Sequence, residues 1–136
     1  MNTTKQMAAI ITKIAAAHGF NLDAADGSSL RLENGPYEPL VISALGPHIV
    51  SVAHYFEQNG DQVPDPDMTL YTGYGVENGW VPVEITMALG YRQQATILKE
   101  DHISEWYPRA QREQAQFANM WARNLKAQGW LTAAAA

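Results

Sequence analysis

The chain has 136 residues, of which 46% are apolar and 17% charged, and its net charge is −5. This composition is typical of one globular domain and excludes a disordered chain, while the absence of cysteine excludes disulfides and thiolate metal sites. We expect a single α+β domain over residues 1–132 and a disordered tail over residues 133–136. No segment reaches the roughly 20 apolar residues of a membrane span and no signal peptide is recognisable, so the expected location is the cytoplasm, away from membranes.

The charges are unevenly distributed along the chain. No Lys or Arg lies between Arg31 and Arg92, and this stretch holds eight carboxylates: Glu33, Glu38, Glu57, Asp61, Asp65, Asp67, Glu77 and Glu84. Such a segment repels a phosphate backbone. The sequence therefore argues against nucleic acid as a partner of the middle of the chain.

An N-terminal helix is indicated by its periodicity and by its ends. Apolar residues fall at i, i+3, i+4 and i+7, which is one helical face: Met7, Ile10, Ile11 and Ile14. We predict Thr3 as the N-cap, with Gln6 completing a capping box. Gly19 suits the left-handed position after the last turn, and Phe20 then folds back on the helix.

The middle of the chain has the pattern of an antiparallel sheet. Six short β-prone runs follow one another without intervening helices, which predicts a meander of about five to six strands, near residues 30–33, 40–42, 49–56, 68–72, 80–87 and 91–98. Asn59-Gly60 is the strongest hairpin signal. Pro64 and Pro66 cannot donate ladder hydrogen bonds, so we expect an edge strand or a bulge there.

A C-terminal helix begins with Pro108 at its first position, and Gly129 ends it. One face is predicted to be buried and carries Ala110, Gln114, Phe117, Trp121 and Leu125, while the opposite face carries Arg109, Arg112, Gln116, Arg123 and Lys126. We expect both terminal helices to pack on one face of the sheet.

Two segments carry a more specific pattern. The first is VAHYFEQNGD at residues 52–61, followed by DPDM at residues 65–68, and the second is FANMWARNLKAQG at residues 117–129. Together they resemble a family of small uncharacterised bacterial proteins, over roughly residues 38–131. The resemblance implies a bacterial cytoplasm and an accessory role on a plasmid or integrative element. No catalytic residue carries over from the resemblance. We expect no cofactor and no resident metal.

The central hairpin holds the main candidate cluster, which consists of His54, Glu57, Asp61, Asp65 and Asp67. In a regular ladder around Asn59-Gly60, His54 would face Asp65 with Cβ atoms about 5 Å apart. A carboxylate at that distance favours the charged imidazole, and a histidine with several carboxylates can bind a divalent metal. The more ordinary interpretation is a hydrogen-bonded core histidine on the side of Val50 and Val52, beside a DPD turn.

A second candidate surface surrounds the glycine-rich loop at residues 73–79. It comprises Tyr71, Tyr74, Trp80, Glu77 and Glu84, because exposed aromatics beside carboxylates are common at protein interfaces. The alternative is that these aromatics cover the second face of the sheet. No nucleophile elbow, HExxH motif or phosphate-binding loop is present.

Three functions remain open from the sequence. The favoured one is a non-enzymatic interaction module that uses an acidic sheet and loop surface to bind a basic protein surface or a second copy of itself. The alternative is a small metal-dependent or acid–base enzyme centred on His54 with Asp65 or Asp67. Nucleic-acid binding through Arg109, Arg112, Arg123 and Lys126 ranks last.

Overall fold

A computed structural model describes all residues 1–136. Two helices flank eight of the nine strands in the chain, and the short last strand follows the second helix. The helices are α1 (Lys5–Ala17) and α2 (Pro108–Ala127). The strands are β1 (Ser29–Asn34), β2 (Tyr37–Gly46), β3 (Ile49–Gln58), β4 (Asp61–Tyr71), β5 (Val81–Thr86), β6 (Arg92–Gln94), β7 (Thr96–Lys99), β8 (His102–Trp106) and β9 (Ala134–Ala135). Single 3₁₀ turns cover Ala88–Gly90 and Trp130–Thr132.

The sheet is an antiparallel meander of seven strands in the order β6-β5-β4-β3-β2-β1-β9. The predicted α+β class and meander are confirmed, and the strand count is higher than expected. The run predicted over residues 91–98 is divided at Ala95 into β6 and β7, and β7 pairs with β8 in a separate hairpin. In the tail predicted to be disordered, Ala134 pairs with Glu33 at the edge of the sheet.

The N-terminus of α1 differs from the prediction by one residue. Thr4 is the N-cap, and its Oγ1 accepts the Met7 amide at 3.2 Å, whereas the Thr3 hydroxyl donates to the Asn78 carbonyl at 2.9 Å. The predicted capping box with Gln6 is therefore wrong. Thr4 also exchanges two backbone hydrogen bonds with Trp80, at 2.8 and 3.1 Å, and this distant partner fixes where the helix begins.

Both helices end as their glycines predict. Gly19 has φ +63° and Gly129 has φ +86°, a region that side chains with a Cβ rarely adopt. After α1, the Phe20 amide donates to the Ala15 carbonyl at 2.9 Å, and the Phe20 ring packs on the core. These local signals place the ends of the helices correctly.

The helices lie on one face of the sheet, and the core is formed between them. Its members come from both layers and include Met7, Ile11, Ile14, Leu40, Ile42, Val50, Val52, Met68, Leu70, Trp121, Leu125 and Trp130. On the other face, the β7–β8 hairpin packs Leu98 and Ile103 against Tyr71, Val81 and Val83. Neither helix is both long enough and apolar enough to cross a membrane.

Candidate functional site

The β3–β4 hairpin turns at the predicted residues. Asn59 and Gly60 both have positive φ, at +53° and +84°, which the two-residue turn with its right-handed twist requires. Gln58 consequently faces Asp61, and Phe56 faces Val63. The first rungs of the predicted ladder are confirmed.

The ladder then breaks at the prolines. Tyr55 pairs with Pro64, but the next rung joins Ala53 to Asp67, so the register shifts opposite His54. Two residues of β4 there occupy the space of one on β3, because prolines have no N–H for the ladder. The direct pairing of His54 with Asp65, predicted from a regular ladder, does not form.

His54 lies on the helix side of the sheet between two indoles. Its ring centroid is 5.6 Å from that of Trp121 and 5.6 Å from that of Trp130. Nδ1 lies 3.0 Å from the Glu38 carbonyl oxygen and 3.3 Å from that of Pro39. Because both oxygens are acceptors, Nδ1 carries the proton and donates. Burial lowers the pKa of His54, against the opposing effect of these two carbonyls, so the ring is neutral at pH 7.

His54 and Asp65 nevertheless share a shallow cleft of about 190 Å³. The cleft is lined by side chains from four separate parts of the chain: Tyr37, Glu38, His54, Asp65 and Gln128. Asp65 also accepts the Ala88 amide on Oδ1 at 3.2 Å. Nδ1 of His54 is engaged by the two carbonyls. Of the two ring nitrogens, only Nε2 is therefore without a partner, and it is an acceptor.

Asp67 belongs to the other face of the sheet. It alternates with the core residue Met68 and pairs with Ala53, and its Oδ1 is buried without a hydrogen-bond partner. Burial raises the pKa of Asp67, and burial followed by the Asp67 charge raises the pKa of Tyr55. Asp67 therefore does not join His54, and no three His, Cys, Asp or Glu side chains are grouped as metal ligands.

The strand register places five carboxylates toward the same end of the sheet as the β1–β2 and β3–β4 turns, and we call this end the acidic end: Glu33, Glu38, Glu57, Asp61 and Asp65. The antiparallel register explains this grouping. The β1–β2 turn and the β3–β4 turn point the same way, because Leu32 pairs with Leu40 and Leu40 pairs with His54. The chain has two ion pairs, Arg92 with Glu84 and Arg109 with Glu113, and neither includes a residue of the acidic end.

The C-terminus of α2 reaches the same end. Asn34, the last residue of β1, donates from Nδ2 to the Gln128 carbonyl at 2.7 Å. Trp130, three residues beyond the end of α2, packs against Tyr37 in a tilted arrangement with ring centroids 6.4 Å apart. Sequence reasoning missed Tyr37 and Gln128 as members of the cleft, because no local pattern connects residues from opposite ends of the chain.

The second candidate surface does not form as one patch. Trp80 is only 2% exposed and belongs to the main core, and Tyr71 is 7% exposed beneath the β7–β8 hairpin. Tyr74 is exposed, and its ring centroid lies 5.6 Å from that of Tyr71. Glu77 is exposed in the loop, whereas Glu84 is half-buried and paired with Arg92. The alternative interpretation, in which aromatics cover the second face, describes Tyr71.

Comparison with curated proteins and with solved structures finds no match. A protein-family model does match, over residues 5–131, which includes both helices and eight of the nine strands. The chain belongs to the family described as domain of unknown function DUF6908.

Proposed function

We propose that this protein is a non-enzymatic interaction module that binds a basic protein surface through the acidic end of its sheet. The observation that supports the proposal is the register of β1 to β4, which places five carboxylates toward one end of the sheet, none of them in an ion pair with Lys or Arg. Like charges gathered in this way repel one another and raise the free energy of the free protein. A basic partner relieves that repulsion on binding.

The shape of the acidic end supports this role. Glu57 and Asp61 stand on the β3–β4 hairpin, which continues beyond the last rung that joins β2 to β3 at His54. The carbonyls at the C-terminus of α2 add partial negative charge beside Asn34. Glu57 and Asp61 are exposed, so their field accelerates encounter and selects partners, and it weakens as salt is added.

Binding of a basic peptide tests the proposal. The probe is a fluorescein-labelled peptide of alternating arginine and serine, followed by anisotropy at low and high NaCl. The triple variant Glu33→Gln, Glu57→Gln, Asp61→Asn should weaken binding about tenfold or more at low salt, by loss of three attractive charges.

A matched control separates the acidic end from net charge. The variant Asp23→Asn, Glu77→Gln, Glu100→Gln removes the same charge from exposed positions elsewhere, and it should weaken binding less than about threefold. Equal losses in the two triple variants would show that only total charge matters and would refute the proposal.

Self-association is the second form of the same proposal. The exposed basic residues of α2, among them Arg112, Arg123 and Lys126, offer a surface of opposite sign on each copy. Sedimentation at about 20 and 300 mM NaCl distinguishes the two forms. A mass that rises with concentration only at low salt would identify a second copy as the basic partner, whereas a monomer at both salts favours a separate protein.

The proposal places the module in a bacterial cytoplasm, as an accessory protein of a mobile element. The resemblance of residues 52–61 and 117–129 to proteins of plasmids and integrative elements supports this context. Fractionation of a bacterial host that carries the gene tests the location. The genes that neighbour the coding sequences of relatives test the role on a mobile element. Relatives encoded away from mobilisation and integration genes would argue against that role.

The cleft keeps the enzymatic alternative open to experiment, because His54 and Asp65 both line it. Thermal unfolding with millimolar Zn²⁺, Mn²⁺ or Mg²⁺ provides the test. A rise in midpoint that disappears in both His54→Phe and Asp65→Asn would favour a metal-dependent protein. No rise in midpoint would remove the metal-dependent version, and neither result depends on the peptide experiment.

A further inference from the structure

The two helices enclose a groove of about 250 Å³ on the outside of the molecule. Four of its lining residues follow one another on α1 at i, i+3, i+4 and i+7, namely Gln6, Ala9, Ile10 and Lys13. The opposite wall consists of Ala122, Arg123 and Lys126 from α2, with Leu131 from the turn that follows. Both walls contain an alanine, whose short side chain leaves the space between the helices unfilled.

The floor of the groove is apolar. Ile10 and Ala122 are almost fully buried there, and Ala9 and Leu131 are half-buried. An apolar concave surface that remains partly open to water gains free energy when another apolar group covers it.

The rim of the groove is basic. Lys13, Arg123 and Lys126 are exposed, none of them is in an ion pair, and no carboxylate lines the groove. The contact across the rim is a long hydrogen bond of 3.4 Å from Arg123 Nη1 to Gln6 Oε1. Three of the nine Lys and Arg residues of a chain with net charge −5 thus surround one apolar depression.

We propose that this groove binds a free medium-chain carboxylate, with its alkyl chain on the floor and its carboxylate between the three cations. The volume lies just below the roughly 300–1,000 Å³ of ordinary ligand pockets, so it suits one short chain rather than a helix. A small monoanion interacts chiefly within a Debye length, about 8 Å, of the rim cations.

Titration with sodium octanoate, followed by the amide resonances of the ¹⁵N-labelled protein, tests the site. We expect saturable shifts centred on Ala9 and Ala122. Octanamide should bind at least about tenfold more weakly because it lacks the charge, and acetate should not saturate because it lacks the chain. No saturation by octanoate, or equal affinity for octanamide, would overturn the proposal.

Variants locate the site independently. Lys13→Gln and Arg123→Gln should each weaken octanoate binding about three- to tenfold, whereas the matched control Arg112→Gln, exposed on α2 outside the groove, should leave it unchanged. Ala9→Phe should fill the groove and abolish binding with circular dichroism unchanged. If Ala9→Phe does not fold, the two exposed rim variants, Lys13→Gln and Arg123→Gln, test by themselves whether octanoate binds in the groove. Unweakened binding in both rim variants, or in a folded Ala9→Phe protein, would refute the site.

Discussion

Replacement of His54 tests whether this residue holds the structure together. In His54→Ala the hydrogen bond from Nδ1 to the Glu38 and Pro39 carbonyls is lost, which costs about 1 kcal/mol. The contacts with Trp121 and Trp130 are lost as well, at about 0.5–1.5 kcal/mol each. The free energy of unfolding should therefore fall by about 2–4 kcal/mol, a large part of the typical total of about 5–15 kcal/mol.

His54→Phe separates the two contributions. Phenylalanine retains an aromatic ring between the indoles but cannot donate to the carbonyls, so the expected loss is only about 1 kcal/mol. The measurement is urea unfolding followed by tryptophan fluorescence. Equal stability of His54→Ala and the wild type would refute the structural role of the ring.

The pH dependence gives a second test of the same residue. Burial lowers the pKa of His54 below the value of 6.5 that it has when unfolded. Between these two values the unfolded chain binds a proton that the folded protein does not, so the wild type should lose stability as the pH falls below about 6.5. His54→Phe has no titrating group at this position, so its free energy of unfolding should fall less between pH 7.5 and 5 than that of the wild type. An identical loss in both proteins would show that His54 titrates normally in the fold.

Three further changes test the fold around the site. Asp67→Thr should raise the free energy of unfolding by about 1–2 kcal/mol at pH 7, because it removes a buried carboxylate oxygen without a partner. Since burial raises the pKa of Asp67, the wild type loses stability as the pH rises through that pKa. The advantage of Asp67→Thr over the wild type in free energy of unfolding should therefore shrink below pH 4. Thr4→Ala should cost about 1–2 kcal/mol, because the N-cap and the 2.6 Å hydrogen bond to Asn119 are lost. Gly129→Ala should cost about 1 kcal/mol at its φ of +86°. Urea unfolding measures each change.

Each of these changes has a matched control in the chain. Asp61→Thr alters an exposed carboxylate on the same strand, and Thr3→Ala removes the neighbouring hydroxyl, which is not the cap. Gly46→Ala introduces the same methyl group where φ is not positive and no atom lies within 4 Å. Asp61→Thr and Gly46→Ala should change the free energy of unfolding by less than about 0.5 kcal/mol. Thr3→Ala loses one exposed hydrogen bond to the Asn78 carbonyl and should cost less than Thr4→Ala, which loses two buried or half-buried ones. A control effect as large as that of its partner would contradict the assigned cause.

The elements that the sequence predicts correctly are those with local causes. The burial of Met7 and Ile14 follows from helical periodicity, and the turn at Asn59-Gly60 follows from the two positive φ values that these residues tolerate. The end of α1 at Gly19 has the same kind of origin. In each case the deciding geometry extends over fewer than about eight residues, so the sequence contains it.

For the candidate site, the sequence predicts individual residues but not how the fold arranges them. A regular ladder predicts that His54 and Asp65 lie directly opposite each other, but the rung that joins Ala53 to Asp67 displaces them from direct pairing. Pro64 and Pro66 predict a disturbance of β4 but not which rung is skipped, because a bulge is fixed by packing on both faces of the strand. The sequence therefore groups Asp67 with His54, whereas the fold places Asp67 on the opposite face of the sheet.

What the sequence alone determined is the α+β class, the faces of both helices, the central turn and the gathering of negative charge in the middle third of the chain. The tertiary structure decided which threonine caps α1, that Trp80 is buried, and that Asp67 lies on the opposite face of the sheet from His54. The physical reason is the distance along the chain between partners. Thr4 is fixed by Trp80, and Asn34 is fixed by Gln128, 94 residues away. Contacts of this range depend on how the layers pack, which no local pattern encodes.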